Sequence, residues 1–184
     1  MDQVTSPIVR RATTDDAGLL AELGARTFAE TFAADNTPED MAAYLAAAFG
    51  RDQQAAELTD SDSVFLIAEV DGVAAGYAKL HAGAAPDEVT HDEPIELARL
   101  YVSHQWLGRG LAATLMQACI DEAKKIGHRT LWLGVWEHNA RARAFYSKWS
   151  FREVGEHIFQ LGADSQTDIL MERQVEERSK SASR

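Results

Sequence analysis

Residues 105–112 read Gln-Trp-Leu-Gly-Arg-Gly-Leu-Ala, with a glycine on each side of an arginine at the mouth of a helix-like run. A helix N-terminus presents N–H groups that have no intrahelical acceptor, and it carries about half a positive charge. Glycines let backbone approach a ligand closely and let successive amides converge on an anion. The stretch therefore reads as a seat for phosphate or pyrophosphate, with Arg109 as an added cation. A tight strand-to-helix turn holding no ligand is the other reading of a bare Gly-x-Gly. Residues 108–113 also satisfy the dinucleotide pattern G-x-G-x-x-A. Against that, residues 103–107 separate the preceding strand from Gly108, a hairpin lies upstream, and only one further helix follows. Glu137, ending the next strand, is the feature in its favour. The nucleotide-triphosphate loop is absent, since neither Lys-Ser nor Lys-Thr follows Gly110.

Other residues could carry proton or charge chemistry. Glu96 opens the run Ile-Glu-Leu-Ala-Arg-Leu-Tyr-Val, and a period of two puts it on one face with Ala98, Leu100 and Val102. A carboxylate on an apolar face has its pKa raised toward a range useful for proton abstraction. A solvated glutamate at the strand's start is the alternative. Glu30 stands between Phe28 and Phe32, an arrangement suited to a cation with an aliphatic stem, or to two core phenylalanines and a solvated acid. Cys119 falls among Met116, Ile120 and Ala123 and reads as a small buried hydrophobe. The histidines at 81, 91, 104, 128, 138 and 157 show no metal-ligand spacing, so no metal is expected.

The elements that must position these groups follow from periodicity and punctuation. Residues 8–13 suggest a short strand. A helix follows Thr13/Thr14, with Leu19, Leu20, Leu23 and Phe28 at helical spacing. A second helix has Thr37 as cap, Pro38 at its first position, Glu39 and Asp40 in its first turn and Gly50 at its end. Residues 51–60 suggest a third, short helix. Two strand runs around Asp71-Gly72 predict a hairpin over 64–80. A loop at 82–94, a strand at 95–102, a helix at 108–126, a strand at 130–136 and a helix at 139–149 come next. Strands at 152–162 and 168–175 close the chain. This order predicts one α/β domain over 7–175, a mixed and mostly antiparallel sheet of about seven strands with helices on both faces. Residues 1–6 and 176–184 are expected to be flexible.

Length and composition fit that picture. The chain has 184 residues, 46% of them apolar and 26% charged, enough for a core without staples. One cysteine leaves no internal disulfide, and no apolar leader or membrane-length apolar run is visible. A cytoplasmic protein without a membrane partner is the expectation. The net charge of −11, from 18 basic and 29 acidic residues, argues against nucleic acid. It suits either a cationic substrate or simple solubility.

The motifs together resemble a known family. Residues 105–110 match the Q/R-x-x-G-x-G/A motif of the GNAT superfamily of acetyl-CoA-dependent N-acetyltransferases. The strand at 95–102 looks like that family's fourth strand. Residues 132–151 look like its fifth strand and fourth helix, with the pattern N-x-x-A-x-x-F-Y-x-K-x-G-F, from which Ser150 departs at the glycine. A narrower likeness, in Thr-Phe-Ala-Glu-Thr-Phe (27–32), residues 36–45, 132–139 and 166–171, is to the PaiA-type bacterial polyamine acetyltransferases.

The resemblance implies acetyl-CoA as cosubstrate and direct transfer to a primary amine in a ternary complex, with a small polyamine favoured as acceptor. A protein lysine or N-terminus, or a non-catalytic CoA-binding module, would be the alternatives. It implies that amides of Leu107, Gly108, Arg109, Gly110, Leu111, Ala112 and Ala113 hold the pyrophosphate. It further implies that backbone of Leu100, Tyr101 and Val102 pairs with the pantetheine arm, and that Asn139 and Lys148 contact the cofactor. Tyr146 aligns with the general acid and Glu96 with the base. Glu137 lies where the family's sheet opens, and Phe28, Glu30 and Phe32 lie on the acceptor side. The exposed closing strand offers a route to a homodimer.

Overall fold

The computed structural model describes residues 6–176. The expected flexible termini fall outside them except for Ser6 and Glu176. The elements run β1 (Ile8–Arg11), α1 (Ala17–Phe32), α2 (Pro38–Ala48), α3 (Arg51–Thr59), β2 (Ser63–Val70), β3 (Val73–His81), β4 (Pro94–Val102), α4 (Leu111–Lys125), β5 (Thr130–Trp136), α5 (Ala140–Lys148), β6 (Arg152–Leu161) and β7 (Asp164–Gln174). The seven strands form one sheet in the order β1-β2-β3-β4-β5-β7-β6. Every neighbouring pair is antiparallel except β4 and β5, which are parallel. The mixed, mostly antiparallel sheet is the one expected from the order of elements.

Local chemistry explains the element ends. The Thr37 hydroxyl accepts from the Asp40 N–H at 3.2 Å, Pro38 fills the first position of α2, and Glu39 and Asp40 face the helix dipole. Gly50 does not end this helix as expected. It takes an extended conformation (φ −61°, ψ 148°) and caps the start of α3, with Phe49 closing α2. Asp71 and Gly72 both have positive φ, 52° and 76°, the pairing that matches strand twist in a two-residue hairpin. α4 stops before Gly127, which is left-handed at φ 92°. β7 begins four residues earlier than its sequence suggests, because the turn at Gly162 lets Leu161 pair directly with Asp164.

Two apolar layers sandwich the sheet. On one face, Leu111, Leu115, Met116, Cys119 and Ala123 of α4 pack on Leu66, Leu80, Ile95, Leu97, Leu131 and Leu133, with α5 completing the layer through Phe145, Tyr146 and Trp149. On the other, Leu20 and Leu23 of α1 pack on Phe65, Ile67 and Tyr77. Phe28 joins Met41, Phe49 and Leu161. Leu20 and Leu115 are fully buried, each contributing about 1.5–3 kcal/mol of transfer free energy.

A bulge in β4 revises the face assigned to Glu96. Lys79 pairs with Arg99 while Leu80 pairs with Leu97, so Ala98 is left as an extra residue. Ile95 and Leu97 point to the α4 layer before it, and Leu100 and Val102 do so after it. Glu96 therefore shares its face with Arg99 and Tyr101, opposite to Leu100 and Val102. Its register partner His81 and the neighbouring Lys79 lie on that face as well.

Candidate active site

The parallel pairing of β4 and β5 covers only Pro94–Glu96 against Thr130–Trp132. Beyond those residues the strands part. From Leu97 onward β4 has no strand partner on that side, although β3 still pairs along its other edge. Its free backbone groups need partners. A cavity of about 690 Å³ occupies the opening and runs from the glycine turn, past the ends of β4 and β5, to α1 and α2.

At one end lies the glycine turn. Gly108 and Gly110 have φ of 75° and 84°, and a Cβ at either would meet no atom within 4 Å. The glycines thus serve backbone direction, while the space before them stays open. Gly110 is the residue before α4, no side chain caps the helix, and no acid sits in its first turn. Thr114 is the residue whose N–H closes back on the Gly110 carbonyl, at 3.1 Å. The amides of Gly108, Gly110, Leu111, Ala112 and Ala113 are left for a ligand, whereas those of Leu107 and Arg109, also expected to hold the pyrophosphate, already donate to the His104 and Trp106 carbonyls at 3.1 and 3.4 Å. The Arg109 guanidinium is parked over the Trp106 ring, 5.2 Å from its centroid.

Leu100, Tyr101, Val102, Leu107, Gly108, Gly110, Ala112, Ala113, Asn139 and Tyr146 all line the cavity. Leu111 instead points into the core, and the Arg109 side chain lies outside the lining. Lys148 is exposed on α5 and is not brought to the cavity. Asn139 also caps α5, where its Oδ1 accepts from the Ala142 N–H at 3.1 Å. Arg141, which no sequence motif singles out, adds a cation to the same stretch of wall.

Tyr146 packs against Phe145 and Phe151, with ring centroids 5.5 and 5.6 Å away. Burial, reinforced by nearby Cys119, pushes its phenol above the ordinary range and keeps it protonated. Cys119 is itself fully buried, and burial with the Glu122 carboxylate pushes its thiol up to about 12, which leaves it inert. Glu96 lies just below the parting of the strands and does not line the cavity. Burial raises its carboxyl against the opposing pull of His81, Lys79, His157 and Arg99.

The far end of the cavity is aromatic. Phe28 stacks on Tyr44 at 4.6 Å and tilts against Phe32 at 4.5 Å, while Phe32 meets Trp136 edge-on at 6.2 Å. Phe28 is core, and Phe32 is the more exposed of the two. Glu30 lines the cavity, but its Oε2 accepts from the His104 N–H at 2.9 Å, tying α1 to the chain entering the glycine turn. Glu137 lies outside the lining, half-exposed and 3.6 Å from the His138 ring nitrogen. Tyr44, Trp136 and Asp168 are lining residues that sequence reasoning missed. The signal that could have found them is Gly134, a glycine inside the bulky strand Thr-Leu-Trp-Leu-Gly-Val-Trp, which marks a close approach by something else.

Among the described residues, no three His, Cys, Asp or Glu side chains are placed to hold a metal ion, and no helix is long and apolar enough to cross a membrane.

Known proteins share both sequence and fold with this chain. The profile of the acetyltransferase (GNAT) family matches residues 25–151. An uncharacterized N-acetyltransferase of Lactobacillus delbrueckii subsp. lactis is 38% identical over 147 residues, covering 80% of this chain and 85% of its own. An uncharacterized N-acetyltransferase of Mycobacterium tuberculosis is 36% identical over 160 residues, covering 87% of this chain and 98% of its own. Among solved structures, the PaiA N-acetyltransferase of Thermoplasma acidophilum in complex with coenzyme A superposes with a TM-score of 0.75 at 22% identity, over 92% of this chain and 99% of that one. The family match over residues 25–151 and the identity with these two relatives place the chain in the acetyltransferase (GNAT) family, as an N-acetyltransferase of that type.

Proposed function

We propose that the protein transfers the acetyl group of acetyl-CoA to the primary amine of a small cationic acceptor, with polyamines the favoured class. The observation that carries this reading is a single cavity joining the glycine turn to an aromatic, acid-bearing chamber through the parted ends of β4 and β5. The residues present fit a pyrophosphate at one end. Open space stands before Gly108 and Gly110, helix amides lack acceptors, and the first turn carries no acid. They fit an aliphatic cation at the other, where rings surround carboxylates.

When bound, acetyl-CoA supplies an activated thioester. The chain's own part is to hold that group and the amine together, an arrangement that removes much of the entropic barrier. Unpaired backbone of β4 beyond Leu97 orients the cosubstrate. Glu96, with its raised carboxyl, accepts the amine's proton through water, since it stands behind the cavity wall. Tyr146, kept protonated and facing the cavity, donates to the departing sulfur.

The test is thiol release from acetyl-CoA with spermidine, spermine, lysine, aminoglycosides and short peptides, with products confirmed by mass. Turnover of polyamines that falls in Glu96→Gln and Tyr146→Phe is the expected result. Turnover of peptides alone would remove the small-cation acceptor, and coenzyme A binding with no turnover of any amine would remove transfer itself.

A further inference from the structure

The acceptor chamber contains a carboxylate whose surroundings are built for a guest. Asp168 stands on β7 directly opposite Trp136 of β5, lines the cavity, and keeps only 13% of its side chain exposed. Its partner across the other edge of β7 is His157 of β6, whose Nε2 lies 3.7 Å from the Asp168 Oδ2. Both side chains reach back over β5 at Gly134. A Cβ on that glycine would stand 3.1 Å from the histidine nitrogen and 3.2 Å from the aspartate oxygen. Gly134 is therefore the gap that admits a carboxylate from β7 to the place where β4 and β5 part.

Charge accounting singles Asp168 out. The carboxylates lining the cavity are Glu30 and Asp168. Glu30 already accepts from the His104 amide. Of the two arginines lining the cavity, Arg141 lies on α5 two residues from Asn139, and Arg99 is held in a two-point pair with Glu57. Burial raises the Asp168 carboxyl while His157 pulls it down, so an incoming cation would find a poorly solvated anion among Tyr44, Trp136 and Phe32.

Resting on the acetyl-transfer reading of this cavity, we propose that Asp168 is the specificity-determining seat for a second, non-reacting ammonium of the acceptor. β5 borders the opening, and β7 lies one strand further, so the two nitrogens are separated by roughly 5–10 Å, one to two strand spacings. A propyl or butyl chain spans the lower part of that range, and the two joined through a secondary amine span the upper part. The acceptor class is thus an alkyl diamine or polyamine, with its methylenes against the aromatic rings and its outer charge on Asp168.

The experiment is calorimetric titration of spermidine and of n-butylamine into the full-length protein saturated with coenzyme A. Wild type, Asp168→Asn, Asp168→Glu and Gly134→Ala are compared, and coenzyme A binding to each reports an intact fold. Spermidine is expected to bind the wild type at least tenfold more tightly than butylamine. Asp168→Asn should erase that preference, Asp168→Glu should restore part of it, and Gly134→Ala should weaken spermidine by crowding the carboxylate. Equal affinity of wild type for the two amines, no spermidine binding at all, or an undiminished preference in Asp168→Asn would overturn the proposal. The binding readout is independent of turnover: loss of spermidine binding in Asp168→Asn stands even if thiol release sinks the transfer reading.

Discussion

Arg99 of β4 gives both arms of its guanidinium to Glu57 of α3, Nη1 to Oε2 at 2.9 Å and Nη2 to Oε1 at 3.1 Å. Lys79 donates to the same carboxylate at 2.8 Å. All three side chains are less than 15% exposed. Arg99 also lines the cavity, so Glu57 neutralises a cation that would otherwise repel a cationic acceptor.

Glu57→Gln should therefore have two effects. Two buried cations lose their counter-ion, which is expected to destabilise the fold by about 3–5 kcal/mol, measurable by urea unfolding. Under conditions where the variant stays folded, KM for a cationic acceptor should rise and KM for acetyl-CoA should not. Unchanged stability would show that the pair is not structurally important.

Tyr146→Phe should lower kcat by roughly 10²–10⁴-fold, the usual contribution of a positioned proton donor, with little change in either KM. A donor must be protonated, so activity that depends on it is lost as pH rises through its pKa. Burial has moved this phenol upward, so the loss should begin only above about pH 10, the ordinary tyrosine value. A tyrosine-dependent decline between pH 8 and about 10 would contradict the assignment.

Asp16, in the turn before α1, should make part of the fold's stability depend on acid pH. It accepts from Arg10 at 2.8 and 2.9 Å and from the Thr13 N–H at 2.8 Å. The Arg10 bonds, outweighing burial, hold its carboxyl at about 2 instead of 3.8. A depressed carboxyl contributes stability that is present above its unfolded pKa and drains away as pH falls through the folded one. Arg10 is 36% exposed, so solvent screens the pair. Asp16→Asn should cost roughly 1–2 kcal/mol at neutral pH. The gap to wild type should narrow from pH 3.8 downward and vanish near pH 2.

Ser150 is left-handed at φ 65°, the conformation that costs an L-residue roughly 1–2 kcal/mol. Its side chain is exposed. Ser150→Gly should raise unfolding free energy by roughly 0.5–1 kcal/mol, less than the strain because glycine gains freedom when unfolded. Thermal unfolding checks this, and a lowered Tm would show that the serine side chain contributes more than its backbone strain.

The elements were largely legible because local signals agreed with the global fold. Thr37-Pro38 announced a helix, Asp71-Gly72 a hairpin, and Gly108-x-Gly110 an open helix mouth. What stayed hidden depends on pairings between distant segments. The bulge at Ala98 arises from how β4 meets β3, and an uninterrupted period of two placed Glu96 on the wrong face. Asp168 lies within the 166–171 segment but nothing there marks its side chain, His157 carries no motif, and the two meet only through the β6–β7 register. Gly50 showed the weakness of punctuation alone: a glycine between two helices can close the first or open the second, and here it opens α3.

The extra residue in β4 works as a change of parity. Ahead of it, odd-numbered side chains go to the α4 layer, and after it even-numbered ones do. An unbroken strand could not send Glu96 and Tyr101 to the same side, because their numbers differ in parity. With Ala98 inserted, one nine-residue strand delivers an acid at the base of the opening and an aromatic ring higher up to a single face. The α4 layer still receives an unbroken series of aliphatic contacts. Deleting that one alanine would leave the composition almost untouched and turn one half of β4 inside out.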